Sequence, residues 1–478
     1  MRGFYHYEMP MTKLLAFALM TCLLVLTQGC ATLPDTQFLT ARYQKQAIQF
    51  QNARGLLSAK RSAAIVAELK RSSGNLDSLE KQIALEQEII GNPLVIGNKV
   101  TLLQDGPATY RAMFSAISKA QDHIHVESFI IEDGTIGQQF ADLLIERQSQ
   151  GVQVHLLYDS IGSLGTPKAY FERLTGAGVK VLEFNPLNPL AVRKPWEINH
   201  RDHRKLLVVD GHTAILGGIN ISSVYASGSA HLNSAKRTPL TGDGEKGWRD
   251  TDIQIEGPVV RQFQALFIDT WNKQRGEPLS PKNYFPLVSP AVNPVGNEIV
   301  RAIGSTPDAP YSLMYLTLVA AITNAEQQVW LTNAYFVPDP QLLSALQDAA
   351  KRGVDVRILL PGQSDSQATF HAGRSYYATL LDSGVKIYER RGTILHSKTA
   401  IVDGIWSCVG SSNLDWRSAL DNDEINAVIL GTGFAQQMLA AFATDLRDAE
   451  QITRDNWERR SVLLRLKEAT ARLFGRLL

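Results

Sequence analysis

Three cysteines in 478 residues, two of them (Cys22 and Cys30) at the extreme N-terminus, exclude a disulfide framework and a cysteine-rich metal site. An excess of charge is missing as well. Lys and Arg number 48 against 47 Asp and Glu, so no overall basic field favours nucleic acid, and no nucleic-acid partner is expected. There is no H-E-x-x-H sequence and no cluster of carboxylates, so neither a metal nor another cofactor is expected. What is present is the composition of a globular protein, 44% hydrophobic and 20% charged. The length suits two domains or one large duplicated unit.

Residues 1–30 read as a targeting segment. Arg2 and Lys13 precede an uncharged, largely apolar run of thirteen residues, Leu14 to Leu26. A membrane-spanning helix needs about 20 apolar residues, so the run fits the core of a signal peptide better. Leu26-Thr27-Gln28-Gly29-Cys30 resembles a bacterial lipoprotein cleavage site, which implies lipidation at Cys30. Thr27 and Gln28 depart from the usual pattern, and an ordinary signal peptide or an uncleaved anchor is the alternative. The expected location is the bacterial cell envelope, membrane-anchored and facing the periplasm or exterior.

Residues 31–97 follow as a helical prefix. From 36 to 90 the chain is rich in Ala, Gln, Lys, Glu and Leu, with Gly55 and Gly74 as the main breakers. Ile65, Leu69, Leu76, Leu79, Ile83 and Ile90 recur at helical spacing. Two or three helices are expected there, as a cover or spacer without chemistry, ending at Gly91-Asn92-Pro93.

From Asn98 strands alternate with helices, which predicts βα units and a largely parallel sheet. The same order then returns. Ala116-Ile117 is echoed by Ala321-Ile322, Gly151-Val152 by Gly353-Val354, and Gly178-Val179-Lys180 by Gly384-Val385-Lys386. The spacing predicts two duplicated α/β/α halves, 98–277 and 298–450, packed about a pseudo-twofold axis. A linker, 278–297, joins them. Extra loops in the first half fall at Asn185 to Asn199 and Ser227 to Trp248. The tail, 451–478, is a basic amphipathic helix: Val462, Leu466, Ala469, Leu473 and Leu477 form a stripe among six Arg and Lys residues. Such a helix either lies on an anionic bilayer or packs on its own domain.

A motif is repeated inside this duplication. His203, Lys205, Asp210 and Asn220 stand at the same relative positions as His396, Lys398, Asp403 and Asn413. Residues i and i+2 of a strand share a face, so each half presents an imidazole and an ammonium together. Two halves meeting at an axis would surround one point with two histidines, two lysines (Lys205, Lys398) and two amides (Asn220, Asn413). That set suits a phosphodiester: cations and N–H donors hold the phosphate, and imidazoles titrating near neutrality attack it and move protons. A nucleophilic histidine also needs one ring nitrogen held, usually by a carboxylate. Glu424 in Asp423-Glu424-Ile425 stands where the phospholipase D superfamily, which the doubled motif resembles, usually places that carboxylate, and the repeat makes Asp250 its counterpart, with Asp252 in reserve. Asp210 and Asp403 complete the motif and are counted with its catalytic residues, although bracing the loop after each strand is their expected task. Among the remaining histidines only His200 is expected to line the pocket.

The doubled pattern resembles the phospholipase D superfamily strongly. The resemblance implies a phosphohistidine formed on one histidine, commonly that of the N-terminal copy, here His203, with His396 as general acid and then base. Trp248-Arg249-Asp250-Thr251, Gly217-Gly218-Ile219-Asn220 and Asn413-Leu414-Asp415-Trp416-Arg417-Ser418 resemble the cardiolipin synthase branch in particular. That likeness runs from about residue 98 to 450. It implies phosphatidyl transfer on a phospholipid membrane, with anionic lipids such as phosphatidylglycerol as partners. It departs at the N-terminus, where many cardiolipin synthases carry two spanning helices. Phospholipase D hydrolysis, a nuclease and a non-catalytic lipid-binding scaffold are the alternatives.

Overall fold

The computed structural model describes residues 47–188, 199–228, 247–279, 284–285 and 294–478. The leader with Cys30, most of the two first-half inserts and most of the linker lie outside the described residues. The described part of the prefix begins with a strand hairpin, β1 (Phe50–Asn52) and β2 (Gly55–Leu56), followed by helices α1 (Ala59–Ser72) and α2 (Ser78–Ile90). The hairpin corrects the wholly helical expectation. Gly55, at φ +117°, closes a turn that few other residues could adopt. Phe50 and Gln51 pair in parallel with Leu94 and Val95, and that pairing overrides local propensity. Gly91, left-handed at φ +75°, caps α2 where a stop was expected.

The first half runs β3 (Leu94–Gln104), α3 (Gly106–Ser118), β4 (His123–Ser128), α4 (Thr135–Ser149), β5 (Gln153–Asp159), α5 (Lys168–Gly176) and β6 (Lys180–Phe184). It continues with β7 (Arg201–Asp202), β8 (Lys205–Val209), β9 (Thr213–Gly217), β10 (Thr251–Glu256) and α6 (Val260–Lys273). β3 starts inside the segment assigned to the prefix, so the two are not separable at residue 97. The second half runs β11 (Glu298–Ser305), α7 (Leu313–Asn324), β12 (Gln328–Asn333), α8 (Pro340–Lys351), β13 (Asp355–Pro361), α9 (Gln367–Arg374), α10 (Tyr377–Asp382) and β14 (Lys386–Arg390). Then come β15 (Lys398–Val402), β16 (Trp406–Gly410), α11 (Trp416–Leu420), β17 (Asn422–Leu430), α12 (Thr432–Leu446) and β18 (Ala449–Ile452).

The two halves have one topology. β3-β10-β9-β8-β4-β5-β6 is matched strand for strand by β11-β17-β16-β15-β12-β13-β14. β3 and β11 pair antiparallel, joining the halves into one extended sheet. Within these two seven-stranded sets only β4-β5-β6 and β12-β13-β14 are parallel, so the largely parallel expectation is corrected. β8 and β9 are joined by three residues, too few for the crossover that parallel neighbours require. The four repeated glycines explain themselves: Gly151, Gly353, Gly178 and Gly384 have φ of +91°, +92°, +91° and +91°. Each turns a helix end into the next strand, a conformation that costs other residues a Cβ clash.

One apolar cluster packs Phe263, Phe267 and Trp271 of α6 and Phe434, Met438 and Phe442 of α12 against strands of both halves. The prefix is built into the second half rather than spacing it. Leu69, Leu76, Leu79 and Ile83 share a core with Met314, Ile322 and Trp406. Inside it, the fully buried Glu86 faces Arg301 (3.2 Å), also fully buried, and accepts from Trp406 Nε1 (2.7 Å) and Gln82 Nε2 (2.7 Å). Breaking a buried pair from one side leaves an unpaired charge, at a cost of about 3–5 kcal/mol. Arg301→Met should therefore lower stability by that order in denaturant unfolding, and Glu86→Leu added to it should restore much of the loss.

Candidate active site

Each histidine enters the site where a strand of the opposite half passes it. β7 pairs in parallel with the start of β17, Asp202 opposite Asp423, and His203 N donates to Asp423 O at 2.9 Å. The repeat reproduces this. Arg249 bridges Leu395 in parallel, and His396 N donates to Arg249 O at 2.7 Å. The residue that follows each of these carbonyls is a carboxylate, Glu424 in one case and Asp250 in the other.

The carboxylates are consequently exchanged between halves. His203 Nδ1 lies 3.1 Å from both Glu424 oxygens, and His396 Nδ1 lies 2.8 Å from Asp250 Oδ2. All four side chains are buried. Burial opposes the charge on Glu424, but His203, Lys205 and the Ser411 hydroxyl together hold it below the usual carboxylate range. Asp250 is likewise held low against its burial by the bond from His396 and the charge of Lys398. Burial pushes the His203 imidazole down to about 4, outweighing Glu424. His203 is thus neutral, with Nδ1–H donated to Glu424 and Nε2 left as a lone-pair nitrogen. Burial and Lys398 lower His396 too.

Lys205 Nζ donates to its own motif's carbonyl, His203 O, at 2.6 Å, and Lys398 Nζ donates to His396 O. Lys398 Nζ also lies 3.0 Å from His396 Nδ1. Burial brings Lys205 down to about 7 and Lys398 to about 8. Lys205 and the His203 ring both feel the charge of Lys398 from across the axis, so the two motifs converge on one place. Aromatic rings wall it: Phe129 sits 5.1 Å from His203, Trp248 5.2 Å from His396, and Tyr335 5.9 Å from His396.

The other expected residues divide. Asn220 Nδ2 lies 3.4 Å from Tyr225 Oη, which is 3.2 Å from His396 Nδ1, while Asn220 Oδ1 accepts from Ile130 N. Asn413 donates its backbone N–H to Ser418 Oγ, and its buried side-chain oxygen has no hydrogen-bond partner. Asp210 and Asp403 do not join the catalytic set. Asp210 accepts the N–H groups of Gln121, Asp122 and His123 at 2.8–2.9 Å, and Asp403 those of Glu326, Gln327 and Gln328. Both are left-handed, at φ +52° and +50°, and tie the β8–β9 and β15–β16 turns to the loops before β4 and β12. Asp252 accepts from Ile219 N and holds the glycine turn, not a histidine. His200 is buried and paired with Asp423 at 2.9 Å, bracing the crossing strand next to His203. Among the described residues no three His, Cys, Asp or Glu side chains are grouped as metal ligands.

Several working residues were not foreseen. Ser411 Oγ donates to Glu424 Oε2, and Ser418 Oγ to Oε1 (2.7 Å). Arg249 grips Asp445 with two bonds of 2.9 Å and so fixes the backbone next to Asp250. Ser411 was legible from its place in Gly410-Ser411-Ser412-Asn413. Tyr225 was not: it stands five residues after Asn220 as Ser418 does after Asn413, but the two residues differ, so the repeat could not flag it.

The phospholipase D-like domain of cardiolipin synthases matches the chain twice, at residues 113–233 and 318–446. A cardiolipin synthase of Alkalihalophilus pseudofirmus is 34% identical over 441 residues, 91% of this chain and 83% of that protein. Cardiolipin synthase A of Pseudomonas putida is 34% identical over 390 residues, 81% and 76% of the two chains. The chain belongs to the cardiolipin synthase family of the phospholipase D superfamily. In fold it resembles the crystal structure of phosphatidylserine synthase from Haemophilus influenzae, with a TM-score of 0.59 at 15% identity, covering 86% of this chain and 98% of that one. The family's two matched segments together carry both histidine motifs and Glu424, whereas Asp250 lies just beyond the first segment.

The lysines set a pH limit for such a family member. Only the ammonium form attracts a phosphodiester, whose single charge does not itself titrate in this range. As pH rises through about 7–8 the free enzyme loses those protons, so kcat/KM should fall at least tenfold per pH unit above that range. Bound phosphate raises both lysines, so the corresponding limb in kcat should lie at higher pH. Profiles of both parameters with a short-chain soluble phospholipid check this.

Proposed function

We propose that the enzyme transfers a phosphatidyl group from one phosphatidylglycerol to another, forming cardiolipin and releasing glycerol. Membership of the cardiolipin synthase family supports the reaction class. The observation that carries the mechanism is the exchanged pairing: two imidazoles, each held at Nδ1 by a buried carboxylate of the other half, with a lysine beside each.

His203 is the nucleophile. Its neutral ring, fixed by a carboxylate that two serine hydroxyls hold in place, keeps Nε2 available for attack on phosphorus. As the N–P bond forms, the bond to the glycerol headgroup oxygen breaks and His396 gives that oxygen its proton. Glu424 balances the positive charge that grows on the His203 ring. Lys205 and Lys398 hold the non-bridging oxygens, where negative charge concentrates. The bound anion offsets Lys398 and raises His396, which lets it enter this step protonated. In the second step a headgroup hydroxyl of another phosphatidylglycerol loses its proton to His396 and attacks phosphorus. The N–P bond breaks, and both histidines return to their starting states.

The donor and acceptor reside in a membrane, and the enzyme works in the bacterial cell envelope, anchored through a lipid on Cys30. Cys30→Ser should abolish incorporation of labelled palmitate; label retained on that variant would remove the anchor.

Product analysis on phosphatidylglycerol vesicles should show cardiolipin and glycerol in equal amounts. Phosphatidic acid in their place would make the enzyme a hydrolase. His203→Ala and His396→Ala should each abolish turnover. With a good leaving group, protonation of the departing oxygen matters little, so His396→Ala should still trap acid-labile label and His203→Ala none. The opposite pattern would exchange the two roles.

A further inference from the structure

The C-terminal helix is folded with its faces reversed. After the short helix α13 (Arg454–Glu458), α14 (Val462–Leu473) starts at Ser461, whose hydroxyl accepts from Leu464 N, and a 3₁₀ turn, Gly475–Leu477, ends the chain. Its inward line is Leu464, Glu468, Ala471 and Gly475. Glu468, only 2% exposed, accepts from Arg460 Nε at 2.8 Å and lies 3.5 Å from Arg374 of α9. The apolar stripe faces out instead. Val462 is 80% exposed, Leu473 81%, Leu463 64% and Leu466 62%, with Phe474 and Leu477 also exposed. A helix that packs on its domain ordinarily buries that stripe. A contiguous apolar patch kept in water marks a contact surface.

Charge selects the partner. Residues 454–478 hold seven Arg or Lys against three Asp or Glu in a chain whose formal net charge is +1. Arg459, Arg465, Lys467, Arg472 and Arg476 are exposed around the stripe. Two such faces would repel each other, so a second copy is disfavoured, whereas an anionic lipid surface satisfies the apolar and the basic parts together.

The terminal turn also touches segments that support the catalytic centre. Gly475 sits against Val337, whose N–H donates to Leu414 O, and the Arg476 guanidinium lies 5.5 Å from the Trp416 ring centre. Leu414 and Trp416 flank the segment that leads to Ser418 and through it to Glu424 and His203. On the first half, Leu164 (68% exposed) and Ile161 (38%) lie in the loop after β5. Ser163 of that loop donates to Phe129 O, and the Phe129 ring packs on His203. Exposed apolar side chains are therefore carried by segments of both halves that connect to one site.

We propose that the outward face of α14 and its terminal turn docks on an anionic bilayer and seats the catalytic mouth against it. The proposal rests on a phospholipid being the substrate, and the experiment separates the two.

The full-length enzyme carrying Leu473→Trp is mixed with phosphatidylglycerol or phosphatidylcholine vesicles that contain brominated lipid. Its added emission should shift to the blue and be quenched by the anionic vesicles alone. Unchanged emission, or equal quenching by both vesicles, would overturn the proposal. In parallel, the Leu466→Glu/Phe474→Glu variant is assayed on vesicle phosphatidylglycerol and on monomeric dihexanoyl phosphatidylglycerol. At least a tenfold loss on vesicles with less than twofold on the monomer is the expected result. Wild-type turnover on vesicles, or an equal loss on both, would overturn it, as would a dimer dissolved by the same variant. No wild-type turnover of either lipid would instead sink the substrate reading, while the emission shift still decides the surface.

Discussion

Everything at this site depends on the exchange of carboxylates between the two halves. A carboxylate buried without a partner is strongly unfavourable, and neither Glu424 nor Asp250 has its histidine within its own half. Each gains its imidazole partner only when the other half is docked, with His203 N and His396 N bonding the backbone one residue earlier. The docking geometry and the catalytic geometry are thus one arrangement. Arg249 to Asp445 and His200 to Asp423 strengthen it from behind, again across the boundary. The fused strands β3 and β11 and the cluster around α6 and α12 supply the apolar part of the same association.

Within that symmetry the two sides are chemically unequal. Glu424 receives the hydroxyls of Ser411 and Ser418, whereas the equivalent of Ser411 in the first half is Gly218. A Cβ on Gly218 would lie 2.3 Å from an Asp250 oxygen, so no serine fits there. The shorter aspartate sits close against the glycine backbone, and Tyr225 and Lys398 crowd the imidazole it holds. One histidine is therefore held rigidly and neutral. The other has a tyrosine hydroxyl and a lysine ammonium beside the ring nitrogen that its aspartate holds. The proposed division of nucleophilic and proton-transfer roles rests on this difference in surroundings, not on any difference in the motif itself.

The ends of the chain contribute by opposite means. The prefix is bound in by a buried ion pair and a shared core, so it belongs to the second half structurally although it precedes the first in sequence. The tail enters the second-half core at Ile452 and Trp457, but α14 turns Glu468 inward and leaves most of its apolar side chains outside. Composition alone looks similar in the two segments; which face each helix turns inward separates their tasks.

Much of this was legible in the sequence because it is local. The repeat, the strands carrying His203 and His396, the left-handed glycines and the stop of α2 follow from spacing, alternation and the conformational freedom of glycine. The asparagines and Asp250 were named from the same repeat, and Glu424 from the position usual in the family that the motif resembles. Tertiary structure alone decided which carboxylate holds which histidine, since Glu424 and His203 are 221 residues apart and nothing in their neighbourhoods records the pairing. It also decided that Asp210 and Asp403 bind backbone N–H groups, that the prefix contains a hairpin, and that most strand pairs are antiparallel. The orientation of α14 is the clearest instance. An amphipathic stripe fixes that a helix has two faces, but only the partner it packs against, here α9 through Glu468 and Arg374, determines which face meets water.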